Sequence, residues 1–378
     1  MWQHSVGFEA FARWFGHGGG QMGRATGPVI SRRLAAVAGL VLSLLVAACE
    51  SRENTPDWDT PGSEASAAES PPQTTAETST AETSTAPTPP RQTEPLAALS
   101  PAPSGEGMRF AAYNVLNWLV MDRYIDRKLE RSTPKPEEEK AAVIRLLAAH
   151  SPDVIGLCEI GTAADLEEIR ERLKNAGLDL PHSHYTAGTD SVRRLGLLSK
   201  FPVIATSKPA DREFRLNGQT YGIGRGILDA TIEARGKSYR FLGVHLKSKR
   251  PIPEADQEEI RVNEARLLRR HVDAILAKDP DARLIVYGDF NDTRPTRTIK
   301  TITGTYNSPG YLTALPAKDS RGNAWTHHWV PHDIYSRIDF VTVTKPLRSE
   351  LDFQNSYIID DPGWENASDH RAILAIFR

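Results

Sequence analysis

After Gly105, short apolar runs alternate with longer stretches in which apolar residues recur every three or four positions. The short runs predict β-strands, and the periodic stretches predict α-helices. Strands are predicted at 109–114, 153–159, 195–199, 203–206, 227–234, 238–245, 284–286, 336–341 and 372–377. Helices are predicted at 137–149, from a capping sequence at 162–165 to about residue 175, and at about 254–277. Hairpins mixed with helical crossovers indicate an α/β fold of more than one layer.

Polar side chains stand where several of these predicted strands end. Asp289 and Asn291 follow the buried run at 284–286, and Asp369 and His370 precede the apolar run at 372–377. Other strands carry four further residues of the same chemical type, namely Asn114, Glu159, His245 and Asp339. Carboxylate and amide oxygens are hard ligands that suit Mg²⁺. The pattern therefore predicts that these residues meet a metal ion or a substrate.

In chain order, the six strand segments that carry these residues contain Asn114, Glu159, His245, Asp289 with Asn291, Asp339, and Asp369 with His370. This series resembles the endonuclease/exonuclease/phosphatase superfamily, which includes deoxyribonuclease I, AP endonucleases, inositol-polyphosphate phosphatases and neutral sphingomyelinases. The resemblance extends from about Met108 to the end of the chain. It implies a four-layer α/β sandwich, in which two packed mixed sheets are flanked by helices. It also implies a metal-dependent phosphoric ester hydrolase.

The resemblance assigns three residues to the metal. Glu159 is the leading ligand, and Asn114 offers a neutral oxygen to the same metal or to the phosphate. Asp369 is similar to the second metal-proximal acid of the superfamily. Because the group contains oxygen and imidazole ligands without thiolates, we expect Mg²⁺ or Mn²⁺.

Five residues are assigned to catalysis on the same grounds. Asp289 would orient or deprotonate the attacking water, and Asn291 would bind phosphate or steady Asp289 if the backbone stays extended. His370 would donate to a non-bridging phosphoryl oxygen, with Asp339 holding its imidazole in the required tautomer. His245 matches the deoxyribonuclease-like and sphingomyelinase-like branches, in which a histidine at this place assists catalysis.

The sequence leaves the roles of two further groups of residues undecided. Lys247, Lys249 and Arg250 are either solvated or in contact with flanking phosphates, and Arg225 is an equally open phosphate contact. The aromatic and imidazole cluster at 325–332 fits a second metal, a base-stacking surface or loop packing. We favour packing or substrate contact, because its spacing matches no established ligand pattern.

The N-terminal part has the features of a targeting segment. Two arginines precede an uncharged run at 34–48 that is shorter than the ~20 residues needed to span a bilayer. The sequence Val-Ala-Ala-Cys at 46–49 resembles a bacterial lipobox, which implies cleavage before Cys49 and lipidation of its thiol. Residues 1–49 are therefore expected to be a signal peptide, with Met22 as an alternative start.

Residues 50–105 are rich in Ser, Thr, Pro and Glu and contain a short Thr-Ala-Glu-Thr-Ser-Thr repeat. With almost no aliphatic or aromatic content, this segment is expected to be a disordered tether. The catalytic domain is assigned to 106–378. It is near neutral, which counts mildly against a tight, undiscriminating nucleic-acid binder.

Together these features predict a secreted phosphodiester hydrolase, foremost a nuclease, that is anchored through Cys49 in the outer membrane, periplasm or cell surface. A phosphomonoesterase or a lipid or inositol phosphate hydrolase is the alternative enzyme, and a non-catalytic surface binding module is the alternative of another class. The expected partners are nucleic acid or another phosphodiester, and the membrane. No protein partner is evident, and a monomer is expected.

Overall fold

The structure is a computed structural model that describes residues 107–125 and 127–378. The predicted signal peptide, lipobox and tether, with Cys49, lie outside the described residues. In the described part of the chain, no helix is long and apolar enough to cross a membrane.

The strands of the described part are, in chain order, β1 (Met108–Trp118), β2 (Met121–Ile125), β3 (Lys128–Thr133), β4 (Val154–Ile160), β5 (His182–Thr186), β6 (Arg194–Ser199), β7 (Val203–Thr206), β8 (Glu213–Leu216), β9 (Gln219–Gly222), β10 (Ile227–Ala234), β11 (Lys237–His245), β12 (Leu284–Asp289), β13 (Thr313–Ala314), β14 (His327–Trp329), β15 (Ile334–Ser336), β16 (Asp339–Val343), β17 (Tyr357–Ile358) and β18 (Ile373–Phe377). The α-helices are α1 (Glu137–His150), α2 (Ala163–Asn175), α3 (Gln257–Lys278) and α4 (Arg297–Thr303). Side-chain caps fix the first residues of two helices. Thr162 and Asp165 form a capping box at the start of α2, and Asp256 caps the start of α3.

Two six-stranded mixed sheets form the centre of the domain. The first has the order β17-β18-β1-β4-β6-β5, and the second has the order β13-β16-β12-β11-β10-β7. Three two-stranded ribbons, β2-β3, β8-β9 and β14-β15, stand apart from these sheets. The pairs β1-β4 and β11-β12 are parallel, whereas β12-β16 and β1-β18 are antiparallel.

The inner faces of the two sheets pack on each other. Phe110 of the first sheet contacts Phe241 and Tyr287 of the second, with ring centroids 4.9 and 4.8 Å apart. Gly156 and Gly243 make room for the Tyr287 ring, because a Cβ added at these positions would lie 2.0 and 2.6 Å from its atoms. This close approach explains why both strands carry glycine at their centres.

Helices cover the outer faces of both sheets. One apolar cluster joins α1 and α2 to the first sheet, and another joins α3 and α4 to the second sheet. Apolar burial on each side of each sheet is the main stabilising term in such a layered domain. The four-layer α/β sandwich predicted from the sequence is therefore confirmed.

Two local features differ from the prediction, and a third was not part of it. β1 continues beyond Asn114 to Trp118, and Asp339 begins β16 instead of lying inside the strand. The strands β6 and β7, separated by three residues in sequence, belong to different sheets. Residues 200–202 therefore carry the chain from one sheet to the other, which periodicity within each strand does not reveal.

Candidate active site

Strand pairing places three of the expected site residues side by side in the second sheet. His245 at the end of β11 pairs with Asp289 at the end of β12, and Asp289 pairs with Asp339 at the start of β16. These three side chains are buried. Because the parallel strands β11 and β12 end together, their terminal residues share one edge of the sheet.

The first sheet contributes Asn114, whose side chain lies close to three other site residues. Its Nδ2 atom lies 3.2 Å from Asp289 Oδ2, 3.4 Å from Glu159 Oε1 and 3.4 Å from His370 Nε2. Its Oδ1 atom accepts a hydrogen bond of 3.1 Å from the backbone N–H of Leu116. Asn114 therefore presents its amide nitrogen to Asp289 and Glu159, while its oxygen is engaged by the backbone of Leu116.

Glu159 is held in place by irregular backbone at the ends of β1 and β4. The pairing register of these strands shifts after Asn114, and Asn117 and Glu159 have φ angles of +54° and +65°. Such bulges redirect a side chain and are common next to active sites. Glu159 Oε2 accepts a 2.9 Å hydrogen bond from the N–H of Asn117, and Arg193 Nε lies 3.8 Å from its Oε1.

His370 and Asp339 form a hydrogen-bonded pair. His370 Nδ1 lies 2.8 Å from Asp339 Oδ2, and His370 Nε2 lies 3.7 Å from Asp289 Oδ2. Burial alone would lower the pKa of His370, but the Asp339 carboxylate, aided by Asp369 and Asp289, outweighs it and raises the pKa well above its usual value. Nδ1–H therefore donates to Asp339, and Nε2–H is directed towards the other acids.

Asp289 is a buried carboxyl with an unusual protonation equilibrium. Burial, reinforced by the charge of Asp339, raises its pKa to about 7. Its Oδ1 accepts a hydrogen bond of 2.8 Å from the N–H of Asn291, which leaves Oδ2 facing Asn114 and His370. A carboxyl with a pKa near neutrality can both accept and release a proton.

His245 lies beside both acids, with Nε2 3.5 Å from Asp289 Oδ2 and 3.9 Å from Glu159 Oε1. Burial, followed by the charges of Arg225 and His370, lowers its pKa well below the usual value. The imidazole is therefore neutral. Its Nδ1 atom is buried and has no hydrogen-bond partner among the described residues.

Asn291 takes a different position from the one anticipated, and Asp369 lies at the more exposed side of the site. Asn291 has a φ of +50°, so the backbone is not extended, and its Nδ2 donates to the carbonyl of Leu246 at 3.0 Å. It supports the turn after β12 instead of pointing with Asp289 towards the same side. Asp369 lies 3.9 Å from His370 Nε2 and is more exposed than the other acids, with a side-chain accessibility of 35%.

The basic residues after His245 are engaged within the protein. Lys247 Nζ donates to the carbonyl of Arg250 at 2.9 Å, and Lys249 Nζ lies 3.9 Å from Asp292 Oδ1. Arg225 likewise lies 3.2 Å from Asp190 through its Nε atom. These contacts favour structural roles for Lys247 and Arg225, whereas the Lys249 side chain is 56% accessible.

Arg193 lies at the site although no sequence motif indicated it, and His327 was expected only as one member of the cluster at 325–332. Arg193 reaches the site because Asp190 accepts hydrogen bonds from the N–H groups of Val192 and Arg193, which turns the chain before β6. An Asp three residues before an Arg is the only sequence signal for this turn, and it is a weak one. His327 lies next to His370, with ring centroids 4.6 Å apart.

The donor set of the site fits a divalent cation. Four carboxylates, those of Glu159, Asp289, Asp339 and Asp369, stand around two imidazoles. Such a concentration of acids in a mostly buried place is costly unless positive charge compensates it. Asp289, Asp339 and His370 also place one donor atom each within 4.8 Å of one another. Oxygen donors of this kind suit Mg²⁺ or Mn²⁺.

Comparisons with known proteins agree with this geometry. The family model described as "Endonuclease/Exonuclease/phosphatase family" matches residues 124–370. No curated protein matches the chain. Since the matched segment covers more than half of the chain, the chain belongs to the endonuclease/exonuclease/phosphatase family.

Solved structures show the same fold at low sequence identity. An endonuclease/exonuclease/phosphatase family protein from Leptotrichia buccalis is 17% identical, with a TM-score of 0.50, and the match covers 72% of this chain and 99% of that chain. An endonuclease/exonuclease/phosphatase from Bacteroides vulgatus is 18% identical, with a TM-score of 0.50 and coverages of 72% and 99%. The human Nocturnin catalytic domain with bound sulfate anion is 15% identical, with a TM-score of 0.51 and coverages of 72% and 94%.

Proposed function

We propose that this phosphoester hydrolase of the endonuclease/exonuclease/phosphatase family is a Mg²⁺- or Mn²⁺-dependent phosphodiesterase, and foremost a nuclease. The observation that carries the proposal is the meeting of Asn114 Nδ2 with Asp289, Glu159 and His370 within 3.4 Å. Hydrolysis of a phosphodiester needs a positioned water, stabilisation of phosphoryl charge and help for the departing oxygen. The site contains a candidate for each task.

Glu159 would hold the cation, with Asp289 or Asp369 as further oxygen donors. The Glu159 side chain is 14% accessible, so it is reachable from solvent yet largely shielded. When bound, the cation supplies positive charge that stabilises a phosphoryl oxygen. Arg193, 3.8 Å from Glu159, adds a fixed positive charge at the same side.

Asp289 would orient the attacking water and accept its proton. Its Oδ1 is fixed by the N–H of Asn291, and its Oδ2 is directed to Asn114. Asn114 Nδ2 can donate to this carboxylate or to a phosphoryl oxygen of the substrate. The two donors restrict the Asp289 carboxylate to one orientation, which is what a general base requires.

His370 would donate from Nε2 to a non-bridging phosphoryl oxygen. Asp339 holds Nδ1 at 2.8 Å, and the raised pKa of the imidazole favours the protonated ring. A charged donor in a buried place stabilises the negative charge that develops on the phosphoryl group. Asp339 thus acts through His370 and not on the substrate itself.

Diesters are proposed over monoesters because the site offers few free cations. A monoester carries more charge on its terminal phosphate, and Lys247 donates to a protein carbonyl while Arg225 is paired with Asp190. His245 is neutral and buried beside Asp289, where it would steady the acids or assist the departing alkoxide. Among diesters, nucleic acid is the proposed substrate. Because the catalytic domain is near neutral, its affinity for nucleic acid is expected to be modest and to fall as salt rises.

The cellular setting is proposed from the sequence alone. Lipidation of Cys49 would anchor the mature protein to the cell envelope, and residues 50–105 would act as a tether between the anchor and the hydrolase. The anchored enzyme would then hydrolyse extracellular or periplasmic phosphodiesters.

The proposal is tested by hydrolysis assays on the full chain in detergent. DNA, RNA, bis-p-nitrophenyl phosphate and p-nitrophenyl phosphate are compared with Mg²⁺, with Mn²⁺ and with excess chelator. Cation-dependent cleavage of DNA or RNA is expected. Cleavage of the monoester alone would move the protein to the phosphatase branch.

A further inference from the structure

His327 lies next to the candidate active site although it is 43 residues away from His370 in the chain. An isolated backbone bridge joins these two residues. The N–H of Arg371 donates to the carbonyl of Thr326 at 2.7 Å, and the N–H of His328 donates to the carbonyl of Asp369 at 3.0 Å. Residues 326–328 are thus held against 369–371 by main-chain hydrogen bonds, so the position of the His327 imidazole follows from the fold.

The side chains of His327, Asp369 and His370 converge. His327 Nε2 lies 3.7 Å from Asp369 Oδ2, and His370 Nε2 lies 3.9 Å from Asp369 Oδ1. One donor atom from each residue falls within 4.8 Å of the other two. Neither imidazole makes a hydrogen bond to Asp369, since both distances exceed the usual limit of about 3.2 Å. The three side chains border one common space, and the two imidazoles face different oxygens of the Asp369 carboxylate.

We propose that His327, Asp369 and His370 form a second cation site, which binds a borderline divalent ion of the Zn²⁺ type and lies beside the cation held by Glu159, with Asp369 within reach of both. Two imidazoles with one carboxylate suit Zn²⁺, whereas Mg²⁺ favours oxygen ligands. Bonds of about 2.0–2.2 Å require the three donor groups to move closer together. The partial exposure of His327 and Asp369, 19% and 35%, leaves room for this adjustment and for entry of the ion.

The surroundings of His370 support this site. Asp339 accepts a hydrogen bond from His370 Nδ1 at 2.8 Å, which orients Nε2 towards Asp369. A carboxylate behind a ligating imidazole is the usual support of a zinc-bound histidine. Three protein ligands also leave a fourth position open for water or a phosphoryl oxygen.

Occupation of this site has a consequence for catalysis, which rests on the proposed function. His370 Nε2 cannot bind a cation and donate a proton to a phosphoryl oxygen at the same time. Zn²⁺ is therefore expected to inhibit hydrolysis in the presence of saturating Mg²⁺. The inhibition would operate through the same nitrogen that the proposed reaction needs.

The test measures Zn²⁺ binding by calorimetry and Co²⁺ binding by visible absorption, on the full chain with Mg²⁺ in excess. The variants are His327→Gln, Asp369→Asn and, as a matched control, His332→Gln. His332 is an exposed imidazole in the turn between β14 and β15, and its ring lies against Trp329, with ring centroids 4.2 Å apart. Circular dichroism melts establish that each variant is folded, and Asp369→Asn replaces His327→Gln if the latter does not fold.

Loss of a ligand should weaken Zn²⁺ binding by at least about 10-fold, because even changes behind the ligands cost about 10- to 100-fold. His332→Gln should bind as the wild type does. Equal Zn²⁺ affinity in the wild type, His327→Gln and Asp369→Asn would overturn the site. Zn²⁺ binding is measured without turnover, so it does not depend on the proposed function. If Zn²⁺ binds through His327 but does not inhibit hydrolysis, the cation site is supported and the proposed catalytic role of His370 is contradicted.

Discussion

His370 Nδ1 lies 2.8 Å from Asp339 Oδ2, and both side chains are buried at the end of the second sheet. This contact orients the imidazole, keeps a proton on Nδ1 and directs Nε2 to the place where Asn114, Asp289 and Asp369 meet. The N–H of Asp339 donates in turn to Thr326 Oγ1 at 3.1 Å, which ties the pair to the segment that carries His327.

The first prediction concerns this pair. Asp339→Asn and His370→Ala should each lower the rate of phosphodiester hydrolysis by on the order of 10²-fold or more, because Asp339 acts through the imidazole. The double variant should lose little beyond the larger single loss. Steady-state rates of the three variants decide the point, and additive losses would show that the residues act independently.

The second prediction concerns the cation. Glu159→Gln should raise the Mg²⁺ concentration needed for half-maximal activity by at least about 10-fold, since the variant loses a charged ligand. The melting temperature should stay close to that of the wild type because the side chain is not part of the apolar core. Glu171→Gln, a change on the outward part of α2, is the control. Full activity of the wild type in excess chelator would contradict this prediction.

The third prediction concerns substrate preference. The wild type should hydrolyse a diester dye faster than the corresponding monoester dye at low salt with Mg²⁺. His245→Ala should lower diester turnover, because the variant removes the imidazole beside Asp289 and Glu159. A monoester preference in both proteins would place the enzyme in the phosphatase branch.

The fourth prediction concerns the anchor. Cys49→Ser should move the protein from the membrane fraction to the soluble fraction, because the acceptor of the lipid is lost. Fractionation followed by immunoblotting measures the distribution, with Cys158→Ser as the matched control for loss of a cysteine. Cys158 is buried in the domain and has no part in the proposed anchor. Equal distribution of Cys49→Ser and wild type would refute the anchor.

The fifth prediction concerns stability. Asp229 accepts hydrogen bonds from Arg240 Nε at 2.8 Å and from His271 Nε2 at 2.7 Å. Burial raises the pKa of Asp229, but these hydrogen bonds outweigh it, so the pKa is lowered. The stabilisation is therefore present above the usual pKa of about 3.8 and is lost as pH falls through the lower, folded-state value.

Asp229→Asn should accordingly lower the free energy of unfolding by about 3 kcal/mol at pH 7, the usual cost of removing one partner of a buried charge pair. The difference from wild type should shrink in urea titrations below pH ~4. Glu233→Gln, an exposed change on the same strand, should have a small effect at both pH values. A difference that stays constant with pH would exclude the charge-based account.

Much of this protein follows from local sequence. Apolar runs predicted the three strands that carry His245, Asp289 and Asp339, because side-chain burial repeats within each strand. The capping residues of α2 lie within four positions of one another and are read directly. The order of the polar motifs identified the family, and with it the four-layer sandwich.

Tertiary packing decided the rest. The register shift between β1 and β4 turned Glu159 to Asn114, and the left-handed backbone at Asn291 turned its amide to Leu246. The meeting of His327 with Asp369 and His370 depends on a bridge between distant segments. Local patterning reports which side of a strand is buried, whereas register, bulges and contacts between sheets arise from packing over the whole domain.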